Sequence, residues 1–115
     1  MGSCLFCDIV VGLTPSVKLY QDGENKFIVI ADIAPVAPVH ALIIPTEHIA
    51  SAAELNESHA ELMGHIWTSM PKIAEKLGIS GGFRIIANAG ADAGQTISHL
   101  HFHLLGGRPL NVALG

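Results

Sequence analysis

The chain has 115 residues, half of them hydrophobic, and a formal net charge of −4 at pH 7. This length and apolar content are enough for one hydrophobic core, so a single domain over residues 1–115 is expected. Only six basic residues are present and they are scattered, which argues against nucleic-acid or anionic-membrane partners. No uninterrupted apolar stretch approaches the roughly 20 residues of a membrane span.

The first residues and the cysteines bear on the cellular compartment. The start, Met1-Gly2-Ser3, lacks a basic segment followed by an apolar run, so no secretory signal is expected. The two cysteines, Cys4 and Cys7, are too close in sequence for the disulfide framework of a secreted fold. The reducing cytoplasm is therefore the predicted location.

Short elements are predicted in the first half of the chain. Residues 5–11 are mostly apolar and predict a short helical turn. Two β-prone runs, 17–21 and 27–31, flank the turn cluster Asp22-Gly23-Glu24-Asn25 and predict a hairpin. Residues 40–44 predict a buried central strand that Pro45 ends. A short helix is predicted over residues 49–55.

The clearest helix is predicted between Ser58 and Leu77, where apolar residues recur at helical spacing. Ser58-x-x-Glu61 matches a capping box at its start, and Gly78 supplies a stop. Pro71 is expected to kink this helix or divide it in two.

Side chains of the long helix are assigned by the same pattern. Trp67 and the methionines are interpreted as core residues, and His59 and His65 as surface residues. A further β-prone run covers residues 83–87.

Three histidines alternate with large apolar residues in His99-Leu100-His101-Phe102-His103-Leu104-Leu105. Alternation at period two predicts a strand with the imidazoles on one face and the apolar side chains on the other. The whole chain then predicts an α+β fold, a five-stranded antiparallel sheet with one long helix and one short helix. The long helix is expected to cross the face that carries Leu100, Phe102 and Leu104.

A loop of small residues, 88–96, precedes the histidines. Gly90, Ala91, Ala93 and Gly94 allow backbone amides to approach an anion closely, and three side chains add donors: Asn88, Gln95 and Thr96. Alone, the loop would be interpreted as an ordinary flexible connection, but its direct attachment to the three histidines makes it a candidate phosphate site.

The histidine run resembles the signature of the histidine triad family of nucleotide hydrolases and transferases. Other stretches are similar to the family as well: Asp32-Ile33-Ala34-Pro35, Ala37-Pro38-Val39-His40, Leu42-Ile43-Ile44-Pro45, Glu47-His48-Ile49 and Gly94-Gln95-Thr96. Gly106-Gly107-Arg108-Pro109 after the triad is similar to the family's Hint branch. The resemblance covers nearly the whole chain.

The resemblance implies that His101 is a nucleophile that attacks the α-phosphorus of a nucleoside phosphoramidate or related nucleotide conjugate. Water would then hydrolyse the nucleotidyl-histidine. His103 would bind the phosphate or protonate the departing amine, and His40 would support the hydrogen bonding of the triad. The phosphate oxygens would be held by the loop residues Asn88, Gly94, Gln95 and Thr96.

The resemblance also implies a purine nucleoside site. Asp32 would accept hydrogen bonds from the ribose hydroxyls, and the base would lie between apolar residues: Leu5, Phe6, Ile9, Ile33 and Leu42. Each of these apolar residues alone would be interpreted as core, and Asp32 alone as a turn residue.

The pair Cys4-x-x-Cys7 can share a tetrahedral zinc ion if two further ligands come from elsewhere. The resemblance to zinc-binding members of the family implies that these ligands are His48 and His99. A structural zinc is expected, with a redox pair or two free thiols as the alternatives. The resemblance further implies a homodimer. A dinucleoside polyphosphate hydrolase and a regulatory nucleotide-binding module remain open as alternative functions.

Overall fold

A computed structural model describes residues 4–112. Five strands form an antiparallel sheet in the order β1-β2-β3-β5-β4. Their bounds are β1 Lys18–Gln21, β2 Phe27–Ala31, β3 Val39–Pro45, β4 Phe83–Ile86 and β5 Phe102–Gly106. The helices are α1, Leu5–Val10, and α2, Ala60–Lys76. This is the predicted α+β architecture, and the predicted hairpin is the β1–β2 pair.

The central strand β3 fixes which side chains share a face of the sheet. Leu42 of β3 pairs with Ile30 on one side and with His103 on the other. Because side chains alternate along a strand, His40 lies on the same face as Leu42 and His103, while Ala41 and Ile43 lie on the opposite face. The two faces consequently have different neighbours.

The face opposite the histidines carries the larger core. Helix α2 packs on it through side chains buried at 3% exposure or less: Ile66, Met70, Ile73 and Ala74. Leu100, Phe102 and Leu104 belong to the same buried cluster, which confirms that the long helix crosses their face. Burying a large apolar side chain stabilises a fold by about 1.5–3 kcal/mol, so this layer holds the sheet rigid behind the histidines.

The histidine face carries a smaller core around α1. Phe6 and Ile9 of this helix are buried against Ile30, Leu42 and Ile44 of the sheet. The N-terminal helix therefore covers one part of the histidine face and leaves the part around His40 and His103 free for polar contacts.

The histidine run is only half strand, contrary to the prediction. Strand β5 begins at Phe102. The amide of His99 donates to the carbonyl of Ile97 at 2.8 Å, and the amide of Leu100 donates to the carbonyl of Ile49 at 2.6 Å. Because these amides bond to loops and not to a neighbouring strand, His99 and His101 point in directions that strand alternation does not determine.

The predicted start of the long helix was wrong in detail. Asn56, and not Ser58, accepts the capping hydrogen bond, and His59 completes a capping box with it on a short 3₁₀ turn over Glu57–His59. The helix predicted over residues 49–55 is only a 3₁₀ turn, Ala52–Glu54. Asn and Ser are both good caps, so the sequence alone does not choose between them.

Pro71 lies within α2 and does not divide it. Proline removes one backbone hydrogen bond from the helix interior. The buried residues beside it, Met70, Ile73 and Ala74, remain packed on the sheet, so tertiary contacts keep the helix continuous. No helix within residues 4–112 is long and apolar enough to cross a membrane.

Three side chains of the α2 region differ from their assignments. Trp67 is 48% exposed and contacts Phe102 with one side of its ring, so it is not a core residue. His59 and His65 are not free surface residues, because His59 lies 3.5 Å from Glu47 and His65 lies 2.8 Å from Asp22.

Asp22 joins the β1–β2 turn to α2. Its carboxylate is buried and accepts hydrogen bonds from the amide of Lys26 at 2.8 Å and from His65 Nε2 at 2.8 Å. Burial raises the pKa of Asp22, but the hydrogen bonds from Lys26, His65 and Glu24 outweigh it and hold the pKa below the ordinary value of 3.8. The ionised carboxylate thus stabilises the fold.

Replacing Asp22 with asparagine is expected to lower the free energy of unfolding at pH 7 by about 1–3 kcal/mol, because buried donors lose a charged acceptor. A lowered pKa in the folded state stabilises the fold above the ordinary value of 3.8, and this stabilisation is lost as pH falls through the folded-state pKa. Urea unfolding at pH 7 and at about pH 2.5 measures this effect. The free energies of unfolding of the wild type and the asparagine variant should differ less at the lower pH. The exposed Glu24→Gln is the control, and equal effects of the two variants at pH 7 would contradict the assignment.

Candidate functional site

His101 has a fixed tautomer in the structure. Its Nδ1 lies 2.8 Å from the backbone carbonyl oxygen of His99. A carbonyl only accepts, so Nδ1 carries the proton and Nε2 of the neutral ring holds a free lone pair. The edge of the Phe6 ring contacts this imidazole, with centroids 5.0 Å apart. The side chain is only partly buried.

His40 and His103 form a hydrogen-bonded pair on the same face of the sheet. The amide of Val36 donates to His40 Nδ1 at 3.2 Å, so His40 carries its proton on Nε2. That nitrogen lies 2.9 Å from His103 Nδ1 and 3.2 Å from Asp32 Oδ2. With His103 Nδ1 accepting, the proton of the neutral His103 ring is on Nε2. His103 can therefore donate a hydrogen bond from Nε2.

The environment of His103 favours its neutral form. Burial lowers the pKa of His103 below its ordinary value of 6.5, and the neighbouring His101 and His40 lower it further, against the opposing effect of Asp32. The imidazoles of His101 and His103 are neighbours, with ring centroids 5.2 Å apart. The neutral form of His103 thus places an N–H donor next to the His101 imidazole.

The loop before the histidines is shaped by Gln95. Its Oε1 accepts from the amide of Gly90 at 2.8 Å, and its Nε2 donates to the carbonyls of Ala50 and Ile97 at 2.8 and 2.9 Å. Gly94 has φ +83°, a left-handed conformation that favours glycine. Since both amide hydrogens of Gln95 are donated to backbone, its side chain organises the loop. Thr96 is exposed and Asn88 is partly buried at the edges of the loop.

The predicted nucleoside residues do not all lie together. A cavity of about 390 Å³ is lined by Ile9, Pro15, Ser16, Val17, Ile30, Ala31, Asp32 and Ile33. Ile33 is fully exposed, whereas Phe6 and Leu42 are buried in the smaller core at 3% and 8% exposure. Leu5 lines a different cavity, with Cys4, His48, Thr96, Ile97 and Ser98. Ile9, Asp32 and Ile33 are therefore the predicted residues that share one cavity.

Asp32 sits at the boundary between this cavity and the histidines. Its Oδ1 accepts from the amide of Ala34 at 2.8 Å, and its Oδ2 faces His40. The carboxylate is held in place by both contacts. Acceptor capacity remains on both oxygens, since an ionised carboxylate has about four lone-pair sites.

The four predicted metal ligands converge. Their donor atoms, the sulfurs of Cys4 and Cys7 and a nitrogen each of His48 and His99, lie within 4.8 Å of one another. His99 Nδ1 is 3.2 Å from Cys4 Sγ, 3.5 Å from Cys7 Sγ and 3.2 Å from His48 Nδ1. Zinc–ligand bonds of about 2.0–2.3 Å give a tetrahedron with edges of about 3.3–3.8 Å. The cluster is close to the size of a zinc tetrahedron.

The protonation of this cluster also suits a metal. His99 Nε2 donates to the carbonyl of Pro45 at 2.9 Å, which leaves the lone pair of Nδ1 directed at the sulfurs. Burial lowers the pKa of His99 despite this hydrogen bond, so its ring is neutral at pH 7. Burial, followed by the neighbouring Cys4 thiol, raises the pKa of Cys7 to about 11. A thiolate at Cys7 therefore calls for a compensating cation.

Besides the His99 carbonyl that orients His101, two further backbone groups in the site have no signal in the sequence. The amide of Val36 sets the tautomer of His40, and the carbonyl of Pro45 sets that of His99. Every residue has a backbone carbonyl, and all but proline an amide. Such roles can therefore be found only from the fold.

Comparison with known proteins identifies the family. Residues 3–109 match the family described as "Scavenger mRNA decapping enzyme C-term binding". "Protein HitA" of Neisseria gonorrhoeae is 38% identical over 106 residues, which cover 92% of this chain and 97% of that protein.

The chain is also similar to solved structures of this family. A HIT family hydrolase from Clostridium thermocellum is 47% identical, with a TM-score of 0.91 over 99% of this chain and 98% of that one. A Zn-bound histidine triad family protein from Mycobacterium smegmatis is 31% identical, with a TM-score of 0.75 over 92% of this chain and 76% of that one. The chain therefore belongs to the histidine triad family, and its Cys4, Cys7, His48 and His99 cluster fits the zinc-binding, Hint-like type.

Proposed function

We propose that this protein is a nucleotide hydrolase that cleaves purine nucleoside phosphoramidates, or related nucleotide conjugates, through a covalent nucleotidyl-histidine. The observation that carries the proposal is the hydrogen bond from His101 Nδ1 to the carbonyl of His99, because it leaves Nε2 unprotonated. The name of the Clostridium thermocellum relative, a HIT family hydrolase, supports hydrolysis as the reaction class.

In the proposed first step, His101 Nε2 attacks the α-phosphorus and the bond from phosphorus to the leaving amine breaks. His103 Nε2–H donates to a phosphate oxygen or gives its proton to the amine. His40 positions His103 by donating to its Nδ1, 2.9 Å away. In the second step, water displaces the histidine from phosphorus and gives a proton to His103, which releases the nucleoside monophosphate and restores neutral His101 and His103.

The remaining site residues bind the nucleotide in this proposal. Thr96, Asn88 and the backbone around Gly94 stabilise the phosphate oxygens as charge builds on them. Asp32 accepts from the ribose, and Ile9 and Ile33 contact the base through the cavity that they share with Asp32. The buried Phe6 and Leu42 support the site from the smaller core, and Leu5 lines the neighbouring cavity with Thr96.

The donor set of Cys4, Cys7, His48 and His99 fits a structural zinc ion in number, spacing and protonation. The ion would join the N-terminus to the loop and strand ends that carry the two histidines. When bound it supplies positive charge and fixed geometry to four ligands and takes no part in the hydrolysis. Zinc ligation needs both thiols reduced, which supports a reducing compartment such as the cytoplasm.

A homodimer is part of the proposal, with sheets joined edge to edge and the long helices packed together. Strand β4 lies at the edge of the sheet, and two large apolar side chains are exposed nearby, Trp67 at 48% and Phe83 at 36%. Exposed apolar patches and free strand edges are features that association covers. Light scattering should give about twice the chain mass of 12.1 kDa.

The experiment that tests the proposed function is a comparison of single-turnover rates on an adenosine phosphoramidate and a diadenosine polyphosphate. We expect the phosphoramidate to react at least about tenfold faster, a difference of 1.4 kcal/mol in the barrier. Faster turnover of the polyphosphate would instead favour a dinucleoside polyphosphate hydrolase with the same nucleophile. Binding of a nucleoside monophosphate without turnover of either compound would favour a regulatory nucleotide-binding module.

A further inference from the structure

Phe6 lies between the metal ligands in sequence and beside the nucleophile in space. It is flanked by Cys7 of α1 and by Cys4, the N-cap residue of this helix. Its ring makes edge contacts with two imidazoles, that of His99 at 5.9 Å and that of His101 at 5.0 Å between centroids. It is only 3% exposed, so the ring cannot move without repacking the smaller core.

A second contact connects the same two sites. The carbonyl that orients His101 belongs to His99, whose ring is one of the four candidate metal ligands. A movement of His99 would therefore move His101 through the backbone hydrogen bond. A movement of Cys4 and Cys7 would move His101 through the Phe6 ring. The hydrogen bond between His101 and the His99 carbonyl does not depend on the position of α1. The contact between the Phe6 ring and His101 does depend on it.

Few contacts fix the position of helix α1 on the sheet. It has six residues, too few to be stable by itself. Its inward contacts are the apolar side chains of Phe6, Ile9 and Val10 and the sulfur atoms of Cys7 and of its N-cap residue Cys4. Cys7 Sγ lies 3.2 Å from His48 Nδ1. A metal that ligates Cys4 and Cys7 would therefore fix the position of the helix and of the aromatic ring between them.

We propose that Phe6 is a positioning residue that couples metal binding to the nucleophile: with the metal bound, its ring edge holds the His101 imidazole in the orientation that attacks phosphorus. This assignment rests on the proposed function for its kinetic consequence, but the contact it invokes does not. The contact of Phe6 with His101 is distinct from the purine contact that the family resemblance implies for this residue.

The test combines metal removal with Phe6→Leu, which keeps an apolar side chain but loses the ring edge. The control is Val10→Ala, which also removes apolar contact from α1; Val10 packs against the smaller core. In the wild type and in Val10→Ala, zinc chelation should lower kcat by about 10–100-fold with KM changed less than about twofold. In Phe6→Leu, kcat should already be lowered with zinc bound, and chelation should cost less than about threefold more.

A second readout does not require turnover. The imidazole ¹⁵N and ¹H resonances of His101 are compared by NMR at one fixed pH, with zinc and after chelation. Chelation should shift them in the wild type and in Val10→Ala, and zinc-loaded Phe6→Leu should resemble the chelated wild type.

The outcomes separate the two proposals. If zinc-loaded Phe6→Leu gives the same His101 resonances as the zinc-loaded wild type, or if chelation lowers kcat by the same factor in both, the coupling is overturned. Unchanged His101 resonances on adding zinc to the wild type overturn it as well. If no nucleoside phosphoramidate is hydrolysed but the resonances respond as expected, the proposed function fails and the coupling stands.

Discussion

Replacing His101 with glycine should lower kcat for a nucleoside phosphoramidate by about 10⁴-fold or more, because no other group supplies the covalent step. The geometry behind this expectation is the fixed tautomer, in which Nδ1 donates to the His99 carbonyl and Nε2 is free. Glycine removes the imidazole and leaves that carbonyl in place. Affinity for a nucleoside monophosphate should change by less than about tenfold, because ribose and base contacts remain.

The control for this prediction is His59→Gln, a histidine that contacts Glu47 at the start of α2. It should keep kcat within about twofold of the wild type. Steady-state kinetics on both variants, with circular dichroism to check folding, gives the comparison. Turnover by a folded His101→Gly protein at the wild-type rate would show that the covalent mechanism is wrong.

Removing zinc should destabilise the protein by about 4 kcal/mol when free zinc stands a thousandfold above its dissociation constant. For a chain of this size that corresponds to a Tm lower by about 15 °C. The physical reason is that four donor atoms held within 4.8 Å of one another lose the cation that joins them. Thermal unfolding with and without a chelator measures the effect.

The matched variant for the metal is Cys4→Ser combined with Cys7→Ser. Its Tm should already be low and should not respond to the chelator. Elemental analysis of protein purified without added zinc should find about one atom per wild-type chain and none in the variant. Zinc well below one atom per chain, with no change on replacing both cysteines, would contradict the metal site.

Features encoded locally could be predicted from the sequence. The hairpin follows from a turn cluster between two β-prone runs, and Asp22 at its start accepts the amide hydrogen bonds of the turn from Glu24 and Lys26. The central strand follows from an unbroken apolar run, and β3 is buried from Ala41 to Pro45. In such cases the pattern and the tertiary environment favour the same structure.

Features that depend on distant partners could not be predicted. Strand β5 begins three residues after His99, because the amide of Leu100 bonds to a loop carbonyl 51 positions earlier, that of Ile49. Trp67 lies one residue from the buried Ile66, and helical periodicity alone does not say on which side of the buried stripe the surface begins.

In the candidate site, too, some features could be predicted from the sequence and others depend on contacts that only the fold shows. The candidate metal ligands include residues that are 95 positions apart, Cys4 and His99. The two histidine ligands were inferred from family resemblance. The structure brings all four donors together. The tautomers of His40, His99 and His101 depend on backbone groups of Val36, Pro45 and His99, which no side-chain motif records. The contact between Phe6 and His101 likewise could be found only from the fold.

The stereochemical course at phosphorus tests the central claim most directly. A nucleoside phosphoramidate made chiral at phosphorus with sulfur and ¹⁸O is hydrolysed, and the configuration of the product is determined. Attack by His101 followed by attack of water comprises two in-line displacements, each of which inverts the configuration, so net retention is predicted. Net inversion would mean that water attacks phosphorus directly, and it would contradict the covalent nucleotidyl-histidine.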